Sequence, residues 1–222
     1  MSAVSRFAKA VIPERVRDSQ PFKIATHILR SHNAIYTRDY YADSVEGAAV
    51  QSAGVMARSI FECFRPKALI DVGCGTGALL AAFRELGCDV RGLEYSDAGL
   101  AYCRNRGLPV EKFNIETDRL AAGKIYDVAV SFEVAEHLAA WKADGYVELL
   151  CGLAPVIVMS AATPGQGGHD HVNEQPHTYW IEKFHHRGYV IDQVTSARLS
   201  SEWKTSGAAS WYYDNVMVFR RR

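Results

Sequence analysis

The chain has 222 residues, with 25 basic and 25 acidic side chains and therefore no formal net charge. Hydrophobic residues make up 48% and charged residues 23%, the balance of a globular fold of one domain, or one domain with an extension. A neutral chain offers no general field for a nucleic-acid backbone, and no apolar run approaches the roughly 20 residues that a membrane span requires.

Residues 1–45 carry many polar residues and a tyrosine cluster, Tyr36, Tyr40 and Tyr41. They are expected to form an N-terminal helical extension whose aromatics either pack onto the body of the protein or fold over a ligand as a lid. The opening segment, Met1-Ser2-Ala3-Val4-Ser5-Arg6-Phe7, lacks the long apolar core of a secretory signal. Residues 46–222 read as one domain. Within it, Ala48, Ala49, Ser52, Val55, Met56, Ser59 and Ile60 recur at spacings of three and four, which predicts a helix over 45–64 stopped before Pro66. The short apolar run Ala68-Leu69-Ile70-Asp71-Val72 predicts a buried strand. A helix over 78–86 closes at Gly87, and a strand follows over 89–93. Ser96 caps a helix over 97–106 that ends at Gly107. Strands are expected over 110–113 and 126–131, a mostly helical stretch over 133–150, and a strand over 156–160. A helix over 177–187 stops at Gly188, and strands over 189–194 and 215–219 finish the chain. This alternation predicts an α/β fold: a Rossmann-like, seven-stranded, mostly parallel sheet with helices on both faces. Ligands of such sheets bind beyond the carboxyl ends of the strands.

The loop after the first strand is Asp71-Val72-Gly73-Cys74-Gly75-Thr76-Gly77. Its three glycines remove side chains where a ligand meets a helix N-terminus. Glu94, at the end of the second strand, suits a ribose because a carboxylate accepts from both hydroxyls. A tight turn with a surface acid is the plainer alternative, but the two features together favour a nucleoside site. Gly73, Gly75 and Ala78 also satisfy a loose dinucleotide pattern. Against that reading, Asp71 would repel a pyrophosphate and attract a sulfonium or ammonium, the third glycine falls at Gly77, and Asn114 after the third strand can meet an adenine edge.

On these marks, together with Tyr126-Asp127-Val128-Ala129-Val130-Ser131-Phe132-Glu133-Val134, residues 67 to about 160 resemble the core of class I S-adenosylmethionine-dependent methyltransferases. The resemblance implies a final antiparallel strand and S-adenosylmethionine as cofactor. It places Gly73 and Gly75 on the methionine part, Glu94 on the ribose, Tyr95 beside adenine, Asn114 on the adenine amine and Phe132 in the pocket wall, with Asp71, Cys74, Gly77 and Ile115 as further cofactor-binding residues. Most family members carry aspartate where this chain has Asn114.

Glu133-x-x-Glu136-His137 follows the fourth strand. On a helix, positions i, i+3 and i+4 share a face, so two carboxylates and an imidazole would converge. The loop Gly167-Gly168-His169-Asp170-His171-Val172-Asn173-Glu174-Gln175-Pro176 follows the fifth strand onto the same rim. Two readings stay open. In one, the acids favour a helix dipole, and His137, His171 and Glu133 serve as catalytic groups, an imidazole taking a proton from the acceptor. In the other, Glu133, Glu136, His137 and His171, with His169 as second choice, hold magnesium, manganese or zinc. The second arrangement resembles that of small-RNA 2′-O-methyltransferases and some ubiquinone-pathway O-methyltransferases. Trp180, Trp203 and Trp211-Tyr212-Tyr213 either line an acceptor pocket or pack the core. His27, His32, His177, His185 and His186 are read as surface or loop residues.

The expected activity is methyl transfer from S-adenosylmethionine to oxygen or nitrogen of a small polar acceptor, a sugar or other secondary metabolite. A metal-assisted RNA 2′-O-methyltransferase and a non-catalytic S-adenosylmethionine binder are the alternatives. The expected partners are a small-molecule acceptor without nucleic acid or membrane, in a monomer or homodimer. Five scattered cysteines with no CxxC pair imply reduced thiols and a cytoplasmic location.

Overall fold

The computed structural model of the chain describes residues 32–120 and 125–222. What was expected of residues 1–31, His27 included, lies outside the described residues. Two short helices, α1 (His32–Ile35) and α2 (Arg38–Tyr40), lead through a π-helical turn (Tyr41–Val45) into the long helix α3 (Glu46–Phe64). Arg65 ends α3 in the left-handed conformation, φ 47°, just before Pro66.

The repeating part then runs β1 (Ala68–Val72), α4 (Ala78–Glu85), β2 (Asp89–Glu94), α5 (Asp97–Asn105), β3 (Val110–Lys112) and β4 (Val128–Phe132). As the sequence predicts, the Ser96 hydroxyl caps α5 by accepting from the Gly99 N–H at 3.0 Å. After β4 come two 3-10 turns (Ala135–His137 and Ala140–Lys142), α6 (Ala143–Leu153), β5 (Val156–Ser160) and α7 (His177–His185). The chain ends with β6 (Tyr189–Ile191), α8 (Gln193–Thr205), α9 (Ser210–Asn215) and β7 (Met217–Arg221).

The seven strands form one sheet in the order β3-β2-β1-β4-β5-β7-β6. Every pair is parallel except those of β7, which runs antiparallel to both β5 and β6. Successive residues of the inner strands feed opposite apolar layers. In β5, Ile157 and Met159 join one layer with Tyr146, Leu150, Trp180 and Phe184, while Val158 joins the other with Ile60, Leu80, Phe83 and Trp203. That two-sided burial explains why the inner strands read as continuous apolar runs. α6 and α7 cover one face, and α3, α4, α5 and α8 cover the other.

Two expectations are corrected here, and one alternative left open for two tryptophans is decided. The stretch 133–150 is not mostly helical: its first part is a 3-10 turn, and α6 starts only at Ala143. The strand expected over 189–194 ends at Ile191, and the unanticipated α8 and α9 fill the space before β7. Trp180 and Trp203 are fully buried core residues, and the indole N–H of Trp203 donates to the Ser59 hydroxyl at 2.7 Å.

A candidate cofactor and acceptor cavity

Turns after β1, β2, β4 and β5 meet over the carboxyl edge of the sheet. The glycine loop is pinned to β2 by two bonds into one carbonyl, Gly73 N–H to Leu93 O at 2.8 Å and Cys74 N–H to the same oxygen at 3.1 Å. Gly73 has φ 77°, and a Cβ there would lie 2.6 Å from a methyl of Val134, so only glycine permits the loop to pass so close to the turn after β4.

Glu94 is buried, and its carboxylate is fixed from two sides. Gly75 N–H donates to Oε2 at 2.9 Å and Ser96 N–H to Oε1 at 2.7 Å. The Tyr41 hydroxyl, which accepts from the Ser96 hydroxyl at 2.9 Å, reaches Oε1 at 3.4 Å. Burial pushes the Glu94 carboxyl above its usual range, and these hydrogen bonds oppose the rise. At the far end of the same wall, the side-chain oxygen of Asn114 accepts from the Glu116 N–H at 2.9 Å. Its NH2 group is left to serve as the donor.

A cavity of about 450 Å³ runs from this wall to the histidine rim. Gly73, Gly75, Glu94, Tyr95, Asn114, Ile115 and Phe132 line one end; Glu133, His137, His169, His171, Trp211 and Tyr212 line the other; and Tyr36, Tyr40 and Tyr41 close it from the extension. No lysine or arginine lines it among the described residues. The remaining residues expected at the cofactor lie behind the loop. Asp71 and Cys74 border a smaller void of about 80 Å³. Burial, with Glu94 adding to it, pushes the Asp71 carboxyl up to about 8. The Cys74 thiol packs 3.9 Å from that of Cys103. Gly77, φ 76°, faces Leu108 and Cys103 and so serves the packing of α4 on α5.

The acid and histidine group is brought together without a helix. Glu133 takes φ 52°, an uncommon conformation for a residue with a side chain, which here turns the chain out of β4. Its Oε1 accepts from the Ser160 hydroxyl at 2.7 Å and its Oε2 from the Gln166 side-chain amide at 3.0 Å. Asn215 at the end of α9 donates to the Gln166 oxygen at 2.7 Å, so α9 is tied to the same chain of bonds. Glu136 is completely buried, and among the described residues neither carboxylate oxygen has a hydrogen-bond partner. Burial and the neighbouring Glu133 carboxyl push it well above the usual carboxylate range. One donor atom from each of Glu136, His137 and His171 lies within 4.8 Å of the others. Glu133, the fourth expected member, lies outside that group.

The His137 and His171 rings stand 4.9 Å apart at 85°. His137 Nδ1 lies 3.3 Å from the Asp170 carbonyl, which can only accept, so Nδ1 carries the proton. Burial, reinforced by His171, pushes the His137 imidazole down to about 3, so it is neutral around pH 7. His169 stacks against Tyr40 at 4.8 Å and 31°. Sequence reasoning missed Glu174, which bonds His171 Nδ1 at 2.9 Å; nothing in its spacing singles it out from the other polar residues of its loop.

The strand order, the reversed β7 and the glycine loop facing a carboxylate define the class I S-adenosylmethionine-dependent methyltransferase fold. Residues 49–148 match the family model described as Methyltransferase domain. Among curated proteins, the ubiquinone biosynthesis O-methyltransferase of Sinorhizobium medicae is 34% identical over 76 residues, covering 32% of this chain and 31% of that protein. The protein of the same description from Roseobacter denitrificans is 32% identical over 96 residues, covering 40% and 39%. The matches thus span only about a third of these relatives' length. Among solved structures, the sugar N-methyltransferase KedS8 from Streptoalloteichus superposes with TM-score 0.63 at 17% identity, over 84% of this chain and 93% of that one. CalS10, an amino pentose methyltransferase from Micromonospora echinaspora solved with S-adenosylmethionine bound, gives TM-score 0.62 at 18% identity, over 82% and 96%. Both likenesses concern the fold.

Proposed function

We propose that this protein transfers a methyl group from S-adenosylmethionine to an oxygen or nitrogen of a small polar acceptor. The observation that carries the reading is the buried Glu94 carboxylate, fixed by the Gly75 and Ser96 amides on the cavity wall opposite a side-chain-free loop. The residues fit the cofactor. Gly73 and Gly75 leave room along the backbone, Glu94 keeps lone pairs for the ribose hydroxyls, Tyr95 and Ile115 flank the base, and the Asn114 NH2 donates to a ring nitrogen of adenine. Bound there, S-adenosylmethionine supplies an activated methyl on a sulfonium.

The chain's own part is alignment and proton transfer. Tyr36, Tyr40 and Tyr41 cover the cavity, and we read the described residues 32–45 as a lid on the domain that follows from residue 46. Glu133, held by Ser160 and Gln166, orients an acceptor hydroxyl or amine. His171 Nε2 receives its proton. The absence of cationic lining among the described residues favours a small acceptor without phosphate groups over RNA.

One observation favours a second reading at the same rim: the two oxygens of Glu136, without a hydrogen-bond partner among the described residues, beside His137 and His171. A divalent cation held by these three would act as Lewis acid on an acceptor oxygen. Two measurements test the pair of readings. A labelled-methyl transfer screen over sugars, phenols, amines and short RNA should show transfer to a small molecule and none to RNA; transfer to RNA alone would reverse the assignment. Dialysis against a chelator should abolish that transfer if the cation is required, with manganese or zinc restoring it. Full activity after chelation, with no metal found by elemental analysis, leaves the imidazole reading.

A further inference from the structure

We propose that Glu174 is the positioning residue of the acceptor site: it fixes His171 in the Nδ1–H tautomer and so turns the Nε2 lone pair into the cavity. This rests on the methyl-transfer reading for its purpose but not for its structural content. His171 Nδ1 lies 2.9 Å from Glu174 Oε1. The two other groups on that carboxylate are donors: the Gly167 N–H at 2.8 Å on Oε1 and the Gly165 N–H at 2.9 Å on Oε2. A carboxylate that already accepts from two backbone N–H groups is an acceptor, so the imidazole donates to it.

The other ring nitrogen is set in place by a neighbour. A Cβ on Gly168 would lie 2.3 Å from His171 Nε2, so any larger residue at 168 would collide with that edge of the ring. Gly168 and His171 both line the cavity. A free histidine side chain prefers its proton on Nε2, which would present a donor where the site needs an acceptor. A carboxylate behind the ring reverses that preference and leaves the Nε2 lone pair free to take a proton or bind a cation. His137 uses the Asp170 carbonyl to the same end. Two imidazoles therefore present acceptor nitrogens, each set by a different group on one loop.

The test is nitrogen-15 NMR of histidine-labelled protein at neutral pH, free and loaded with S-adenosylhomocysteine. The His171 ring should show a protonated Nδ1 and a bare Nε2 in the wild type. In Glu174→Gln the side-chain amide can donate to Nδ1, so the Nε2–H form should become populated while His137 keeps its pattern. An unchanged His171 tautomer in folded Glu174→Gln, or an Nε2–H form already dominant in the wild type, overturns the proposal. The wild-type spectrum decides the second point even if the variant fails to fold. Failure of S-adenosylhomocysteine to bind would instead overturn the methyl-transfer reading, with the tautomer still readable in the free protein.

Discussion

Glu94 shows how one side chain can be placed by the elements around it rather than by its own preferences. It ends β2 where the loop from β1 crosses, and two amides hold it at 2.9 and 2.7 Å. Hydrogen bonds to a charged group contribute roughly 1.5–3 kcal/mol each, so Glu94→Ala should weaken S-adenosylhomocysteine binding by about tenfold or more. Calorimetry giving wild-type affinity would remove its ribose role. That Glu94, Asn114 and Phe132 would meet along one cavity was readable because each lies at or just past a strand end, and the strand pattern places those ends together. Glu174 was not, because its significance comes from two glycine amides and an imidazole that only the folded loop assembles. Trp180 and Trp203 carry the same lesson in reverse: an indole suits a pocket wall and a core equally, and burial decides between them.

At the scale of elements, the alternation from β1 to β5 was readable because both faces of each inner strand are apolar. Helix α8 was not. Its residues 193–205 include only two buried side chains, Leu199 and Trp203, four apart, among serine, threonine and charged residues. Its clearest start signal, Asp192 accepting from the Thr195 N–H at 2.9 Å, sits beside an exposed Val194 that blurs the periodicity. The assignment makes a contrast that thermal melting can check. Leu199→Ala should cost about 2–5 kcal/mol as a core truncation, whereas Val194→Ala should stay within about 0.5 kcal/mol. Equal losses would mean that α8 presents a different face to the sheet. The turn after β4 failed as a helix for a related reason. Ser160 holds Glu133 by side chain and backbone, and Val172 and Asn173 both donate to the Glu136 carbonyl, so tertiary bonds claim groups that a helix would need.

For the whole molecule, buried titratable groups set opposing pH trends. Asp71 is raised from an ordinary 3.8 to about 8, so its contribution to stability is full below the unfolded value and is lost as pH rises through 8. His137 is lowered from 6.5 to about 3, so its contribution is present above the unfolded value and is lost as pH falls through 3. The melting temperature of the free protein should therefore pass through a maximum in mild acid and decline towards pH 8. Asp71→Asn should flatten the alkaline side, and a wild-type curve still rising to pH 8 would refute the assignment. No helix among the described residues is long and apolar enough to cross a membrane, and all five cysteines are free thiols.

The close approach of Gly73 to Val134 has an engineering consequence. The backbone under the methyl donor and the turn bearing Glu136 and His137 share one van der Waals contact, so neither can be remodelled without disturbing the other. Attempts to retarget the protein to new compounds should leave that keystone alone. Variation belongs at His169 and Trp211, which line the cavity but not the small void behind the glycine loop.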